Sequence, residues 1–287
     1  MLSILIPVYN FNCRPLLESL HSQAEALNID YEIIVADDAS TLYKNEIAEI
    51  AALSYIRFYK FDSNQGRSRI RNFLASKALF RYLLFMDCDA ELCSKDYIAK
   101  YVSMLKPDVC IFGGRALYPY TAAPEYSLEL LYNRCRESKY VSKGIFTTFN
   151  FVIDKQLFDK VRFDEDIETY GHEDTIFSYK VRQVKPILFV ENPLVHLDIS
   201  TNEEYLKKTE SACRNMTAFS ANYTDEVMCM LFKAWRIYSH FKRLHLTAIL
   251  RFLYGRWHRC LKANLLSSHP SLFYLDIYKL LYIAHTA

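Results

Sequence analysis

The first ninety residues alternate between short apolar runs and longer stretches with helical spacing. LSILIPVY at 2–9 is almost wholly apolar and is stopped by Pro7 and Asn10. Residues 14–28 then place Leu16, Leu17, Leu20, Ala24 and Leu27 three to four positions apart, which predicts an amphipathic helix. A second apolar run, Tyr31 to Ala36, ends in Asp37-Asp38-Ala39-Ser40, where Ser40 or Thr41 can cap a helix through Ala52. Residues 55–61 predict a third strand, and the polar loop Asp62 to Gly66 leads into a helix reaching Ala78. The fourth run, Phe80 to Met86, breaks off at two carboxylates, Asp87 and Asp89. This β-α-β-α-β-α-β order predicts an α/β fold: an open, mostly parallel sheet with helices on both faces. Ligands of such sheets gather where the strands end.

Beyond Asp89 the alternation loosens. Val109 to Gly113 predicts a strand followed by an aromatic loop, 125–141 a helix, Phe146 to Ile153 a strand, and Ile187 to Val190 another. His196 follows shortly after. With 287 residues, 51% of them apolar, a large core is expected and disorder is not. The eight cysteines form no C-x-x-C pair, which fits reduced, buried thiols of a cytoplasmic protein. No basic leader precedes the first strand, and no run of eighteen apolar residues predicts a spanning helix.

The chemistry concentrates at the strand ends. Asp87 and Asp89 alternate with Cys88, so in a strand they share a side. Two carboxylates held together repel unless a cation joins them, and a hard ion such as Mn²⁺ or Mg²⁺ suits them. The plainer reading is a strand end whose Asp residues cap the next helix. Pro7, Val8, Tyr9 and Asn10 end the first strand, where main-chain groups can hold a base; a strand-stop turn is the alternative. Asp38 can accept from a ligand N–H, with Asp37 the more structural of the two. Gly66 permits a tight turn, and Arg71 points from the first helical turns towards the strand ends, whereas Arg67 and Arg69 are equally readable as solvated.

IPVYN at 6–10, DDAS at 37–40, NQGRSRIRN at 64–72, MDCDA at 86–90 and GHED at 171–174 together resemble the family 2 glycosyltransferases of the GT-A fold, over about two thirds of the chain. The resemblance implies a metal-dependent enzyme that moves a sugar from a UDP-sugar to a hydroxyl of a glycan or lipid-linked acceptor, with inversion, in surface polysaccharide or lipopolysaccharide synthesis. It implies uridine recognition by Asp38 and Arg71, with Asn64 ordering the loop. Asp89 would coordinate the metal, and Asp87 would contact ribose or coordinate through water. Cys88 lies in the nucleotide-contacting segment, but its side chain is expected to fill the core. A late His, here His196, would complete the metal site; a satisfied structural histidine is the other reading, and Asp198 is a rival at the same place. Asp174 would be the general base, with Glu173 holding the acceptor or the base, although carboxylates suit a helix N-terminus in any case. Asn150 and His172 are secondary candidates for acceptor or donor contact.

These matches predict a transferase domain over 1–204, with a nucleotide half at 1–90 and an acceptor half at 91–204, and a helical region over 205–287. Charge separates the same two parts. Residues 1–204 hold 23 Lys or Arg against 29 Asp or Glu, and residues 205–287 hold 12 against 4. From Val227 to Leu275 there is no acidic residue. Val227, Leu231, Ala234, Tyr238 and Phe241 form one predicted stripe, opposite Lys233, Arg236, His240 and Arg243. Such basic amphipathic helices with Trp and Tyr fit peripheral membrane contact through 227–275, or else a helical cap with a solvated face. Nucleic acid is not expected as a partner. Two rivals remain. A nucleotidyltransferase would need a Gly-rich basic loop after the first strand, which IPVYNFN lacks. An inactive sugar-nucleotide-binding protein would lack a carboxylate, yet Asp87, Asp89 and Asp174 are present.

Overall fold

The computed structural model describes residues 1–116, 123–137 and 145–287. Its first half follows the expected alternation: β1 (Leu2–Val8), α1 (Arg14–Ala26), β2 (Tyr31–Asp37), α2 (Lys44–Ala51), β3 (Ile56–Lys60), α3 (Arg67–Lys77) and β4 (Tyr82–Met86). These four strands are parallel, with β1 between β2 and β4 and β3 outside β2. Beyond β4 the sheet continues through Asn150–Asp154 (β8), Cys110–Phe112 (β6) and Leu188–Phe189 (β9), in that spatial order. The Asn150–Asp154 strand runs antiparallel to both neighbours and sets Asn150 opposite Met86.

Strand alternation sorts the core onto two faces. Ile4, Ile6, Val8, Leu84 and Met86 join Leu17 and Leu20 of α1 on one face. Leu5, Leu83 and Phe85 join Leu74 of α3 and the aromatic rings of Phe151, Phe158 and Phe177 on the other. Covering both faces is why β1 and β4 read as unbroken apolar runs. Each fully buried Leu, Ile or Phe contributes about 1.5–3 kcal/mol.

A second, three-stranded sheet was not foreseen. Ala90–Leu92 (β5), Arg115–Ala116 (β7) and Leu194–His196 (β10) pair in the order β5-β10-β7.

Several local expectations are corrected. Neither Ser40 nor Thr41 caps α2; its N-cap is Tyr43, in a left-handed conformation without a side-chain bond. Ser40 Oγ instead accepts from Asn10 N at 2.8 Å, and Thr41 N donates to Asn10 Oδ1 at 2.7 Å. The helix expected over 125–141 is broken into a 3₁₀ turn at Pro124–Tyr126, an α-helix at Ser127–Tyr132 and a π-turn at Asn133–Glu137. The end of that helix and the aromatic loop at 117–122 lie outside the described residues. The stripe from Val227 to Phe241 is not one helix, because Phe232 is extended and separates Asp225–Leu231 from Lys233–Arg243. Among the cysteines, Cys93, Cys135 and Cys260 are exposed rather than buried.

The described residues divide into two compact units, one of 1–116, 145–168 and 173–198, the other of 123–137, 169–172 and 199–287. The second unit is helical. Its helix at Asn202–Phe219 starts at a reciprocal cap between Thr201 and Glu204, three residues ahead of the predicted helical region. Two later helices occupy Thr247–Leu265 and Leu272–Thr286. Among the described residues, no helix is long and apolar enough to cross a membrane.

Candidate active site

At the carboxyl end of β2, Asp37 and Asp38 turn inward, 1% and 5% exposed. Asp37 accepts from Ser40 N at 3.1 Å. Asp38 accepts from Gln65 N at 2.6 Å and from Gly66 N at 3.2 Å. Burial pushes the Asp38 carboxyl up, and those two amides only partly offset it. Asn64 completes the loop, its Oδ1 accepting from Gly66 N and its Nδ2 donating to the Asp38 carbonyl. Gly66 sits at φ +79°, and a Cβ there would meet the Glu168 carbonyl oxygen at 3.1 Å, so the turn requires glycine.

Beside them, β1 ends in Pro7, Val8, Tyr9 and Asn10. Val8 O accepts from Asp38 N, and Asn10 Oδ1 holds Thr41 N and Leu42 N. Tyr9 is 51% exposed and offers an aromatic face at the strand end. Cys88 is half-buried and packs on the α1 face of the core.

At the end of β4 the partners are side chains rather than amides. Asp87 Oδ1 accepts from Arg71 at 2.7 Å. Arg71 is 2% exposed; its guanidinium lies over the Phe163 ring at 5.5 Å and reaches Glu173 at 3.7 Å. Arg67 meets the same Glu173 oxygen at 3.4 Å. The structure thus makes Arg71 a buried link between Asp87 and Glu173, and puts Arg67 on Glu173. Arg69 pairs with Glu168 at the surface.

Asp89 Oδ2 lies 2.8 Å from His196 Nε2. Burial raises the Asp89 carboxyl, but the hydrogen bond from His196 and the nearby Arg67 and Arg115 outweigh it and hold the group low. Asp198 is exposed, so it is His196 that the small sheet brings to Asp89. Asp89 Oδ1 is buried without a hydrogen-bond partner. A hard cation finds an open oxygen ligand there, so the residues present fit Mn²⁺ or Mg²⁺. No group of three or more His, Cys, Asp or Glu side chains forms a metal nest among the described residues.

Glu173 and Asp174 occupy the first turn of the Glu173–Val184 helix. Asp174 is pushed up to about 6, chiefly by burial and then by the Glu173 charge. Its Oδ1 accepts from Thr175 N at 2.6 Å, which pulls the other way without prevailing. A carboxyl titrating near 6 is available as a base close to neutral pH.

Asn150 has its amide occupied within the fold. It is 1% exposed, its Oδ1 takes hydrogen bonds from Tyr97 and Tyr101, and its Nδ2 donates to the carbonyls of Gly114 and Asn192. In the second unit, His172 packs its ring 4.7 Å from that of Phe232. Sequence reasoning missed Arg115, which meets His196 Nδ1 at 2.8 Å; no local motif marks it.

Comparisons with known proteins bear on the family and the fold. The family described as Glycosyl transferase family 2 matches residues 3–162. An uncharacterized glycosyltransferase of Rickettsia felis is 29% identical over 110 residues, covering 38% of this chain and 18% of that protein. A second from Rickettsia conorii is 29% identical over 111 residues, 39% and 18% of the two chains. The matched stretch therefore spans less than a fifth of each curated relative. Among solved structures, the mannosyltransferase PcManGT of Pyrobaculum calidifontis, in complex with GDP-Man and Mn²⁺, superposes with TM-score 0.54 at 15% identity, over 76% of this chain and 63% of that one. S. aureus TarS superposes with TM-score 0.51 at 15% identity, over 84% and 72%. GalNAc-T7 with UDP, GalNAc and Mn²⁺ gives 0.50 at 18% identity, over 70% and 43%. At these identities the structures share the fold.

Proposed function

The chain belongs to glycosyl transferase family 2, and from that premise we propose that it transfers a sugar from a UDP-sugar to an acceptor hydroxyl with inversion. The observation that supports this most is a division of labour among carboxylates. Asp89 is held low and has an open oxygen, while Asp174 is raised to about 6. Groups pushed apart in this way take different roles.

In this reading Pro7, Val8, Tyr9 and Asn10 line the base, with Tyr9 as a stacking face, and the Asp38–Asn64–Gly66 loop closes beside it. Asp87 and Asp89 hold the divalent ion, with His196 and Arg71 as their partners and Cys88 as filler between them. When bound, the ion offsets charge growing on the leaving diphosphate, an effect of several kcal/mol. Asp174 takes the acceptor proton as the oxygen attacks the anomeric carbon opposite the diphosphate, and Glu173 orders Arg67 and Arg71 behind it. The choice of UDP rests on the family resemblance and on solved relatives, of which TarS was determined with UDP-GlcNAc and PcManGT with GDP-Man. Titration calorimetry tests it: UDP binding should require Mn²⁺ or Mg²⁺. Equal affinity in excess chelator, or tighter binding of GDP, overturns the reading.

We further propose a transferase domain over 1–204 that acts on lipid-linked glycans in surface polysaccharide synthesis, and a helical region over 205–287 that contacts the membrane peripherally through 227–275. Support comes from the Thr247–Leu265 helix, where Ile249, Phe252 and Trp257 are exposed along with Arg256 and Arg259. Each basic side chain near an anionic surface contributes about 1 kcal/mol. The protein should float with vesicles containing anionic lipid at low salt and be released in part at high salt. Indifference to those vesicles leaves the helices as a structural cap.

A further inference from the structure

Each strand of the small sheet delivers one member of a three-residue chain. Asp89 immediately precedes β5, His196 ends β10, and Arg115 opens β7. Pairing of His196 with Ala90 and of Leu194 with Arg115 fixes all three positions through the backbone. Phe149, only 5% exposed, supports them from one side: the Arg115 guanidinium lies 5.5 Å from its ring centre, and the His196 ring meets it edge-on at 5.2 Å.

The hydrogen-bond inventory of this chain has one solution. A guanidinium has five N–H donors and no acceptor. Nδ1 of His196, 2.8 Å from Arg115, must therefore present its lone pair. The ring proton then sits on Nε2 and is donated to Asp89 Oδ2 at 2.8 Å. Both ring nitrogens are occupied. An imidazole that coordinates a cation through Nε2 keeps its proton on Nδ1, and that N–H would point at Arg115. Coordination through Nδ1 would displace Arg115 outright.

We propose that Arg115 is a positioning residue that fixes His196 as a donor to Asp89 and competes with a divalent ion for the ring. This rests on the metal reading above. If the ion takes Nε2, the Nε2 proton passes to water and Nδ1 acquires one from water, so no net proton is gained, and Arg115 must swing away. If Arg115 stays, His196 orients Asp89 and leaves its free Oδ1 to the ion.

Two measurements test this. In ¹⁵N-histidine spectra, with His196 assigned by comparison with His196→Gln, the metal-free protein should show the Nε2–H tautomer. Arg115→Lys, still a donor, should preserve it, and Arg115→Met should lose that preference. A predominantly Nδ1–H ring in the unsubstituted protein overturns the assignment. Separately, paramagnetic resonance of free Mn²⁺ reads affinity. Arg115→Met should raise it roughly tenfold, matching in size the low end of the effects seen for residues one layer behind a metal but opposite in sign to the usual loss. The gain should vanish in a His196→Phe background. If it persists there, Arg115 acts only through its charge and the competition is refuted; a loss of affinity refutes it as well. Absence of Mn²⁺ binding in every variant removes the metal reading and the competition together, while the tautomer spectrum still decides whether Arg115 sets the ring.

Discussion

Two carboxylate doublets end the strands on either side of β1, and they are satisfied in opposite ways. Asp37 and Asp38 accept from backbone amides of Ser40, Gln65 and Gly66. Asp87 and Asp89 face side chains, Arg71 and His196, and one Asp89 oxygen has no hydrogen bond at all. Amide partners cannot leave without unmaking a loop, so the first doublet builds the site's wall. Side-chain partners can rotate, so the second can exchange them for a ligand. The doublets look alike in sequence, and their partners are what separate them.

The largest expected effect lies at a carboxylate belonging to neither doublet. Asp174→Asn should lower kcat by ~10²-fold or more while leaving UDP affinity nearly intact. In the unsubstituted enzyme activity should fall as pH drops through about 6, where Asp174 takes up a proton, and the variant's residual rate should lose that limb. The same carboxyl, raised above its unfolded value, costs stability at neutral pH. That cost is absent below the unfolded value near 4 and complete above about 6. Asp174→Asn should therefore melt higher at pH 8, by ~1–3 kcal/mol of stability. Turnover within a few-fold of the original removes Asp174 from the role and leaves Glu173 to be tested.

The contrast between the doublets is probed next. Asp89→Asn should weaken Mn²⁺-dependent UDP binding by roughly 10–100-fold, and it orphans no backbone amide, because its partners are side chains. Asp38→Ala should do the reverse, costing ~1–3 kcal/mol through the orphaned amides of Gln65 and Gly66. Melting curves and calorimetry on both variants check this, and equal stability losses erase the distinction.

The smallest effect concerns a carboxylate in the helical unit. Asp225 accepts from Ser239, Trp235 and Arg243, and these bonds, Ser239's foremost, hold it down at about 2. A depressed carboxyl stabilises the fold above its unfolded value near 4, and the contribution disappears as pH falls towards 2. With 38% of its side chain exposed, the effect is screened to below ~1 kcal/mol. Asp225→Asn should cost that contribution, below ~1 kcal/mol, at pH 7, flatten the fall in stability between pH 4 and 2, and leave stability unchanged at pH 2.

How much was legible follows from how far apart the partners lie. β1 to β4 and their helices could be read because each apolar run or stripe is contiguous. Asp87 and Asp89 could be read because they end such a run. The true neighbours of Arg71 could not, since burial over Phe163 depends on a distant turn. Arg115 and His196 are 81 positions apart and meet only because two very short strands pair. Asn150 sat in an inviting motif, yet its amide is spent on two tyrosines and two carbonyls, which no spacing rule records. The helix at Asn202–Phe219 begins at Thr201 and Glu204, a capping box that was open to reading.

The antiparallel strand at Asn150–Asp154 has a consequence for the chain's birth. Residues up to Met86 can assemble four strands in the order of synthesis, but the outer edge of β4 is then bare from Tyr82 to Met86 until Asn150–Asp154 arrives to pair with it. Roughly sixty residues intervene, which at about 5–20 residues per second leaves that edge open for several seconds on the ribosome. An apolar, unpaired edge is a template for other chains. A nascent chain stalled before Asn150, or a fragment cut near residue 90, therefore displays a sticky seam that the finished protein hides.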